Sequence, residues 1–204
     1  MKDKIFTRAL LAVAMGGLAL SGTAMATTSS SVGGGTITFS GSVTDTTCNV
    51  TTNNGSDFTV SLEPITTDAL GTSTGILTSG ATAFTIAVSG CSGYTATSTT
   101  AQALDITFSG ANISDDETYL KNATGTATGV GIALTSDGSK AITLDTALDT
   151  GLATTSSSSS TDSAVYDTGA AGDITYYANY YNYGGSSVTT GSVVTTATYV
   201  FSYE

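Results

Sequence analysis

The sequence predicts an all-β sandwich, and three observations lead to that fold class. Apolar and polar residues alternate in many short runs, and a period of two indicates strands that bury one face. Turn-rich segments such as Asn53-Asn54-Gly55 and Ser136–Ser139 separate the runs. No window beyond the N-terminal region carries a convincing helical period. Many short strands of this kind favour two sheets packed face to face.

The predicted strands follow one another along the chain after the N-terminal region. In order, they are the runs around Ile37–Val43, Phe58–Leu62, Phe84–Val88, Leu104–Phe108, Val130–Leu134, Ile142–Leu144, Ile174–Tyr183 and Thr198–Tyr203. Two other stretches, the glycine-rich leader at 27–35 and the serine-rich loop at 154–163, have little that could pack. We expect the serine-rich loop to be flexible and exposed, and we find no internal repeat or second domain.

Residues 1–26 have the layout of a cleaved secretory signal. Three basic residues in the first eight positions precede the apolar stretch Ala9–Leu20, and Ala24-Met25-Ala26 supplies a small-x-small cleavage pattern. The apolar stretch is too short to span a bilayer comfortably. The mature chain is therefore expected to begin near Thr27 and to be exported.

The charge balance excludes one class of partner. The chain carries 16 acidic and 5 basic residues, for a formal net charge of −11, and Lys121 and Lys140 are the basic residues beyond the signal. Binding to nucleic acid or to an anionic membrane through a basic patch is therefore not expected. The acidity instead keeps an exported protein soluble.

Cys48 and Cys91 are the two cysteines of the chain. Export places them in an oxidising compartment, where a disulfide between them would stabilise the fold by roughly 4 kcal/mol through loop closure. The alternative is a pair of free thiols that serve a metal or catalysis, but the chain has no histidine to join them or to act as a general base. We expect a disulfide, no cofactor, no metal and no enzymatic activity.

Both ends of the chain resemble type 1 pilins of the chaperone–usher pathway. Gly34–Val43 leads after four residues to Cys48-Asn49-Val50, the layout with which those pilins begin. Ala197–Glu204 is similar to their C-terminal strand, with Tyr203 at the penultimate position and Gly191 fourteenth from the end. The segments Gly129–Ile132 and Ile142–Asp145 resemble their middle strands.

The resemblance implies an incomplete immunoglobulin-like sandwich that lacks its final strand. Residues 27–41 would be an N-terminal donor-strand extension, in which Gly35, Ile37 and Phe39 face a neighbour's groove, and residues 42–204 would form the pilin domain. The acceptor groove would be built partly from Tyr199, Phe201 and Tyr203. A periplasmic chaperone would fill that groove before assembly and hold the Glu204 carboxylate.

The expected function is that of a structural fimbrial subunit that supports cell adhesion, most simply a repeated shaft subunit. Its partners would be other pilins, the chaperone, an outer-membrane usher and a tip adhesin, and its route would lead through the periplasm to the surface of a Gram-negative bacterium. A minor linker pilin is the alternative within the family. A monomeric secreted carbohydrate-binding sandwich is the alternative from another class.

Three weaker patterns have two interpretations each. Asp115-Asp116-Glu117 could bind calcium, although a solvated turn explains three adjacent acids better. Four Asn-x-Ser/Thr matches, at Asn49, Asn54, Asn112 and Asn122, are expected by chance in so Thr- and Ser-rich a chain. The tyrosines between 176 and 183 fit either packing or a ligand-binding surface.

Overall fold

The computed structural model describes residues 46–52, 56–158 and 164–204. The predicted signal, the donor-strand extension with Gly35, Ile37 and Phe39, and the strand around Ile37–Val43 lie outside these ranges. So do the Asn53-Asn54-Gly55 turn and residues 159–163 of the serine-rich loop.

The described chain is almost entirely β structure. Its strands are β1 Asn49–Val50, β2 Gly75–Ile76, β3 Thr82–Ser89, β4 Ala103–Ser109, β5 Leu120–Lys121, β6 Val130–Thr135, β7 Leu148–Ala153, β8 Gly172–Asn182 and β9 Thr198–Tyr203. The helical elements include a four-residue helix, α1 Thr67–Leu70, and a 3-10 turn at Gly185–Ser187.

The strands form two antiparallel sheets. The larger has the order β1-β3-β8-β6-β5, with β2 also paired to β8, and the smaller has the order β7-β4-β9. Apolar side chains from both sheets meet in one core, in which Ile86, Leu104, Ile106 and Leu144 are completely buried. This arrangement confirms the predicted all-β sandwich, and the alternating residues of the long strands supply its interior.

Five predicted strands are confirmed as β3, β4, β6, β8 and β9. The strand predicted around Ile142–Leu144 is wrong. Ile142 donates its N–H to the Leu134 carbonyl, and Leu144 then lies in a turn that ends at Asp145 with a positive φ of 53°. Leu144 is nevertheless completely buried, so its apolar character reflects a core position in a turn.

The run around Phe58–Leu62 shows the burial of a strand without its ladder. Phe58, Val60 and Leu62 are half-buried, whereas the residues between them are exposed, so the predicted alternation is present. The run is nevertheless not assigned to a sheet. The short helix α1 that follows it was not predicted. It is capped by Thr66, whose hydroxyl accepts from the Ala69 N–H.

The predicted disulfide is present. Cys48 and Cys91 are bonded, with their Cα atoms 4.0 Å apart, and Cys91 is 2% exposed. The bond ties the start of β1 to the chain that leaves β3. Beside it the Ser92 N–H donates to the Thr47 carbonyl over 2.8 Å.

Two buried amides on β8 hold the loops at one end of the larger sheet. The Asn179 side chain donates to the carbonyls of Leu77 and Gly138, at 2.9 and 3.1 Å, and accepts from a threonine hydroxyl of β6. The Asn182 side chain donates to the carbonyls of Gly71 and Gly185, at 3.0 and 3.1 Å. Both side chains are 1% exposed or less, and their hydrogen bonds offset the cost of burying them.

Within the described ranges, no helix is long and apolar enough to cross a membrane.

Candidate functional site: the β9 edge

Strand β9 lies at the edge of the smaller sheet. Among the described residues its strand partner is β4, in a register that places Tyr199 opposite Phe108 and Phe201 opposite Ile106. The pairing continues to the last residue, because the Glu204 N–H donates to the Ala103 carbonyl over 3.1 Å. Such an edge can accept a further strand on its outer side.

Alternate residues of β9 hydrogen-bond to β4, and this alternation determines which main-chain groups face outward. In an antiparallel pair every second residue exchanges hydrogen bonds with its partner, and the residues between direct their N–H and C=O groups to the other side. Since Glu204 bonds to β4, the even-numbered residues of β9 face β4. The main-chain groups of Tyr199, Phe201 and Tyr203 therefore face the outer edge.

The side chains of these same three residues share the core-facing side of β9. Phe201 is 7% exposed, and Tyr199 and Tyr203 are half-buried against the core. The predicted grouping of the three on one face is therefore present. Each combines an inward aromatic ring with main-chain groups on the outer edge.

Five aromatic side chains form a closed ring of contacts behind this edge, here called the aromatic cluster. Their ring centroids are separated by 5.8 Å for Phe58–Phe84, 6.1 Å for Phe84–Tyr176, 5.1 Å for Tyr176–Phe108, 6.5 Å for Phe108–Tyr199 and 6.2 Å for Tyr199–Phe58. These separations suit tilted and edge-to-face contacts, which stabilise beyond the area they bury. The cluster joins both sheets to residues 56–63, here called the flanking segment.

The flanking segment is held mainly by side chains. Tyrosine hydroxyls bind both of its ends: that of Tyr199 donates to the Ser56 carbonyl over 2.6 Å, and that of Tyr180 donates to the Glu63 carbonyl over 3.2 Å. Among the described residues, no main-chain hydrogen bond joins residues 57–62 to another main-chain group. The segment therefore lies beside the cluster with the alternating burial of a strand. Within the described chain, residues 57–62 have no main-chain partner.

The tyrosine hydroxyls of the cluster stay protonated at neutral pH. Burial, and secondarily the Asp149 carboxylate, raises the pKa of Tyr176 to about 12. Burial also raises the pKa of Tyr199, with a smaller contribution from Asp57. The cluster is thus an uncharged aromatic surface, and the Tyr199 hydroxyl remains a hydrogen-bond donor to Ser56.

Tyr203 fixes the far end of β9 to the disulfide loop. Its hydroxyl oxygen accepts from the Ala170 N–H at 2.8 Å, and its O–H donates to the Cys91 carbonyl at 3.4 Å. Its ring makes an edge contact with Tyr94, with centroids 5.8 Å apart. The penultimate tyrosine is therefore a fixed part of the domain as well as an outer-edge residue.

The smaller sheet contains a buried carboxyl group near the C-terminus. Asp105 of β4 is 4% exposed and lies in register with Asp149 of β7 and Ser202 of β9. Burial raises the pKa of Asp105, and the Glu204 and Asp149 carboxylates raise it further. The ion pair found in the described ranges, Lys121 with Asp115 at 3.0 Å, is made elsewhere.

Gly191 occupies a position that a side chain would not fit. Its φ is +152°, and a Cβ atom there would lie 2.4 Å from the Ala127 nitrogen and 2.6 Å from the Thr126 hydroxyl oxygen. Next to it the Ala127 N–H donates to the Ser192 carbonyl over 3.0 Å. The glycine thus permits two stretches of main chain to approach closely ahead of β9.

The acidic run beside β5 has the character of a turn. Asp115 pairs with Lys121, and the Ser114 hydroxyl is the main cause that lowers the pKa of Asp116. Glu117 has a positive φ of 58°. Over the described residues, no group of three or more His, Cys, Asp or Glu side chains is arranged to hold a metal ion.

Three tyrosines of β8, and Tyr183 directly after it, divide between the two faces of the sheet. Tyr176 lies in the core, and Tyr180 packs against it from a half-buried position. Tyr181 and Tyr183 instead stack with Tyr119 of the β5 region, with ring centroids 4.4 and 5.1 Å away. All four tyrosines therefore make packing contacts within the domain.

Comparison with known proteins gives the family. The family model described as "Fimbrial protein" matches residues 37–204. The chain belongs to the fimbrial protein family. This is a family of structural fimbrial proteins, not of enzymes. No curated protein sequence matches the chain significantly.

Solved pilus subunits share the fold of this fimbrial protein. A chain from a chaperone–usher pilus structure, concerned with the molecular basis of rod uncoiling, is 18% identical with a TM-score of 0.51; the match covers 84% of this chain and 96% of that one. The P pilus rod subunit PapA is 17% identical with a TM-score of 0.52, and the match covers 77% of this chain and 99% of that one.

Sequence reasoning named three members of the edge but missed most of the aromatic cluster. Phe58, Phe84 and Phe108 were predicted only as apolar residues of alternating strands, and Tyr176 was not assigned to either face. A usable signal existed, since four of the alternating runs each contribute an aromatic residue to the inward face. What the sequence lacked was the pairing that brings these runs to one edge.

Proposed function

We propose that this fimbrial protein is a shaft subunit of a surface fimbria and that β9 accepts a strand donated by a neighbouring subunit. The observation that supports this most directly is the direction of the main-chain groups of Tyr199, Phe201 and Tyr203 on β9. These three outer-edge residues have aromatic side chains on the core-facing side and main-chain groups on an edge without a strand partner in the described chain. Strand addition to a sheet edge uses such groups, and donor-strand complementation of pilins is an established case.

The flanking segment would provide the second border of the acceptor groove. Its main chain has no ladder partner among the described residues, and the aromatic cluster lies between it and β9. A donated strand placed over the cluster would hydrogen-bond to β9 and bury its alternate side chains on the rings. Affinity would come from the main-chain ladder, and register would come from the side chains.

The donor would be the N-terminal extension, residues 27–41, ahead of the pilin domain at 42–204. Ile37 and Phe39 would face the neighbour's aromatic cluster, and each should contribute about 1.5–3 kcal/mol on burial. Gly35, two residues earlier on the same face, would allow close main-chain approach. A minor linker pilin, which would use the same donor and acceptor segments, remains the alternative within the family.

Before assembly, the same edge would be covered by a periplasmic chaperone, with the Glu204 carboxylate held by basic side chains of that partner. An outer-membrane usher would then deliver the subunit to the cell surface, where the fimbria supports adhesion through a tip adhesin. The predicted secretory signal, and the chaperone–usher pilus in which a similar fold is found, support this proposed route.

The test uses donor peptides in trans. A subunit that lacks residues 27–40 is isolated with its chaperone and mixed with a synthetic peptide of residues 28–42. The peptide should displace the chaperone, and the peptides with Ile37→Asp or Phe39→Asp should fail because a charge would enter the groove. The matched control is Thr38→Asp, which changes the opposite face of the strand and should displace the chaperone as the unmodified peptide does.

Two results would overturn the proposal. Equal displacement by all four peptides would show that side chains do not face a groove. A truncated subunit that is soluble, closed and monomeric without a chaperone would favour the carbohydrate-binding alternative. That alternative also predicts that the full-length chain forms no polymer.

A further inference from the structure

Three tyrosine rings form a parallel stack on the outward face of the larger sheet. Tyr119 lies against Tyr181 with centroids 4.4 Å apart and planes inclined by 11°, and against Tyr183 at 5.1 Å and 13°. All three rings are half-buried, so each keeps part of its surface in solvent. The stack is the only parallel arrangement among the aromatic contacts of the described chain.

The backbone is shaped to allow this stack. Tyr119 precedes the edge strand β5, and it crosses over Gly131 of β6 to reach the tyrosines of β8. A Cβ atom on Gly131 would lie 2.4 Å from the Leu120 carbonyl oxygen and 3.0 Å from the Tyr119 ring. The missing side chain of one residue thus lets the phenol that precedes β5 meet the phenols at the end of β8 and directly after it.

The composition leaves tyrosine as the main target for an oxidant. The sequence has no tryptophan or histidine, and its three methionines all lie in the first 25 residues, within the predicted signal. Both cysteines are joined in the disulfide. The side chains that normally compete for oxidants, free thiols and thioethers, are therefore absent from residues 27–204.

We propose that Tyr119 and its stacked neighbours, Tyr181 and Tyr183, are a site of oxidative dityrosine cross-linking. The oxidant is hydrogen peroxide acting through a haem peroxidase. Each phenol loses one electron and one proton, and the two phenoxyl radicals form a carbon–carbon bond between ring positions ortho to oxygen. The two ortho hydrogens move to the oxygens, so that two phenols and one peroxide give one biaryl and two waters.

The Tyr119 hydroxyl is neutral before oxidation, because burial, and secondarily the Asp116 carboxylate, raises its pKa while Lys121 lowers it less. The phenol must therefore release its proton together with the electron. Solvent can accept that proton, since Tyr119 is only half-buried. The product would tie β5 covalently to β8 across β6, at the edge of the sheet.

Other tyrosine contacts are less suited to coupling. Tyr94 and Tyr203 meet edge-on, at 75°, and the Tyr203 hydroxyl is bonded to main-chain groups. Tyr176 is 4% exposed inside the core. Only in the stack do partly exposed phenol rings lie face to face within the described chain.

The experiment oxidises the full chain after export, in the form in which it is isolated from cells. Purified protein is treated with hydrogen peroxide and a peroxidase and then followed by dityrosine fluorescence and by mass spectrometry of its peptides. We expect an intrachain link, with the loss of two hydrogen atoms, between the peptide with Tyr119 and the peptide with Tyr181 and Tyr183. Tyr119→Phe keeps the ring but removes the phenol, and the link should fall to the level of untreated protein.

The control is Tyr166→Phe, since Tyr166 is half-buried but lies outside the stack. This variant should form the Tyr119 link as the parent does. Protein unfolded in denaturant before oxidation should lose the preference for this pair. The proposal is overturned if the link persists in Tyr119→Phe, if other pairs dominate in the folded protein, or if the folded protein forms no intrachain link.

Discussion

Gly191→Ala should destabilise the domain more than an ordinary surface substitution, because two separate penalties act at this position. The φ of +152° is a conformation that residues with a side chain rarely adopt. The added Cβ atom would also lie 2.4 Å from the Ala127 nitrogen, a main-chain atom that cannot rotate away. The two stretches of chain that cross here would have to separate.

The magnitude follows from adding these penalties. An unfavourable backbone conformation costs about 1–3 kcal/mol, and overpacking of a close contact costs about 1–3 kcal/mol. The sum, roughly 2–6 kcal/mol, is a large part of the 5–15 kcal/mol that holds a typical domain together. We therefore expect poor accumulation of the exported variant and a clear decrease in its free energy of unfolding.

The chain offers a matched control for each penalty. Gly151 has a φ of +76° with nothing within 4 Å, so Gly151→Ala tests the conformation alone and should cost about 1–2 kcal/mol. Gly125 has no positive φ, but its Cβ atom would lie 2.1 Å from the Ser192 carbonyl oxygen, so Gly125→Ala tests the contact alone. Urea unfolding of all three variants in the same assembly form, followed by tyrosine fluorescence, compares them. The reasoning is refuted if Gly191→Ala is no less stable than Gly151→Ala.

Three further substitutions or treatments test other parts of the fold. Asp105→Asn should stabilise the protein at neutral pH, because burial and neighbouring carboxylates raise the folded-state pKa above 3.8 and the ionised form is penalised. The gain in stability of Asp105→Asn over the parent should shrink as the pH falls through the raised pKa towards 3.8. The prediction is contradicted if the two proteins differ in urea midpoint by the same amount at neutral pH and near pH 3.8. Reduction of Cys48–Cys91 should lower the free energy of unfolding by about 2–5 kcal/mol, measured with and without reductant; equal midpoints would contradict a structural role. Asn179→Ala should cost about 1–3 kcal/mol for each carbonyl left without a donor and should increase amide exchange in the two loops it binds, whereas unchanged exchange would show that other contacts hold them.

The sequence predicted the long strands well because each buries one face and carries a clean alternation. It could not predict β7, whose six residues include Gly151 with a positive φ and pair with β4 across a register shift. It placed Ile142–Leu144 in a strand because a buried leucine in a turn has the same apolar signature as one in a sheet. The local pattern of apolar residues indicates which side chains are buried, but it does not indicate which main-chain groups form hydrogen bonds.

The same limit explains the candidate site. The resemblance at the C-terminus named Tyr199, Phe201 and Tyr203, and a period of two placed them on one face. The outward direction of their main-chain groups required the register with β4, which is a long-range property. In the flanking segment, the alternation of apolar and polar residues predicted the burial correctly. It did not predict that the segment has no hydrogen-bonded strand partner within the described chain.

The buried amides of β8 have a consequence for how the surface of this protein can change over generations. The side chains of Asn179 and Asn182 hold four loops by donating to main-chain carbonyl oxygens, which every amino acid supplies. The accepting residues are Leu77, Gly138, Gly71 and Gly185. Substitutions at neighbouring positions would leave these hydrogen bonds intact, whereas Gly71, Gly138 and Gly185 themselves have positive φ values that favour glycine. The other positions of these loops could therefore vary in sequence while the strand that anchors them stays the same.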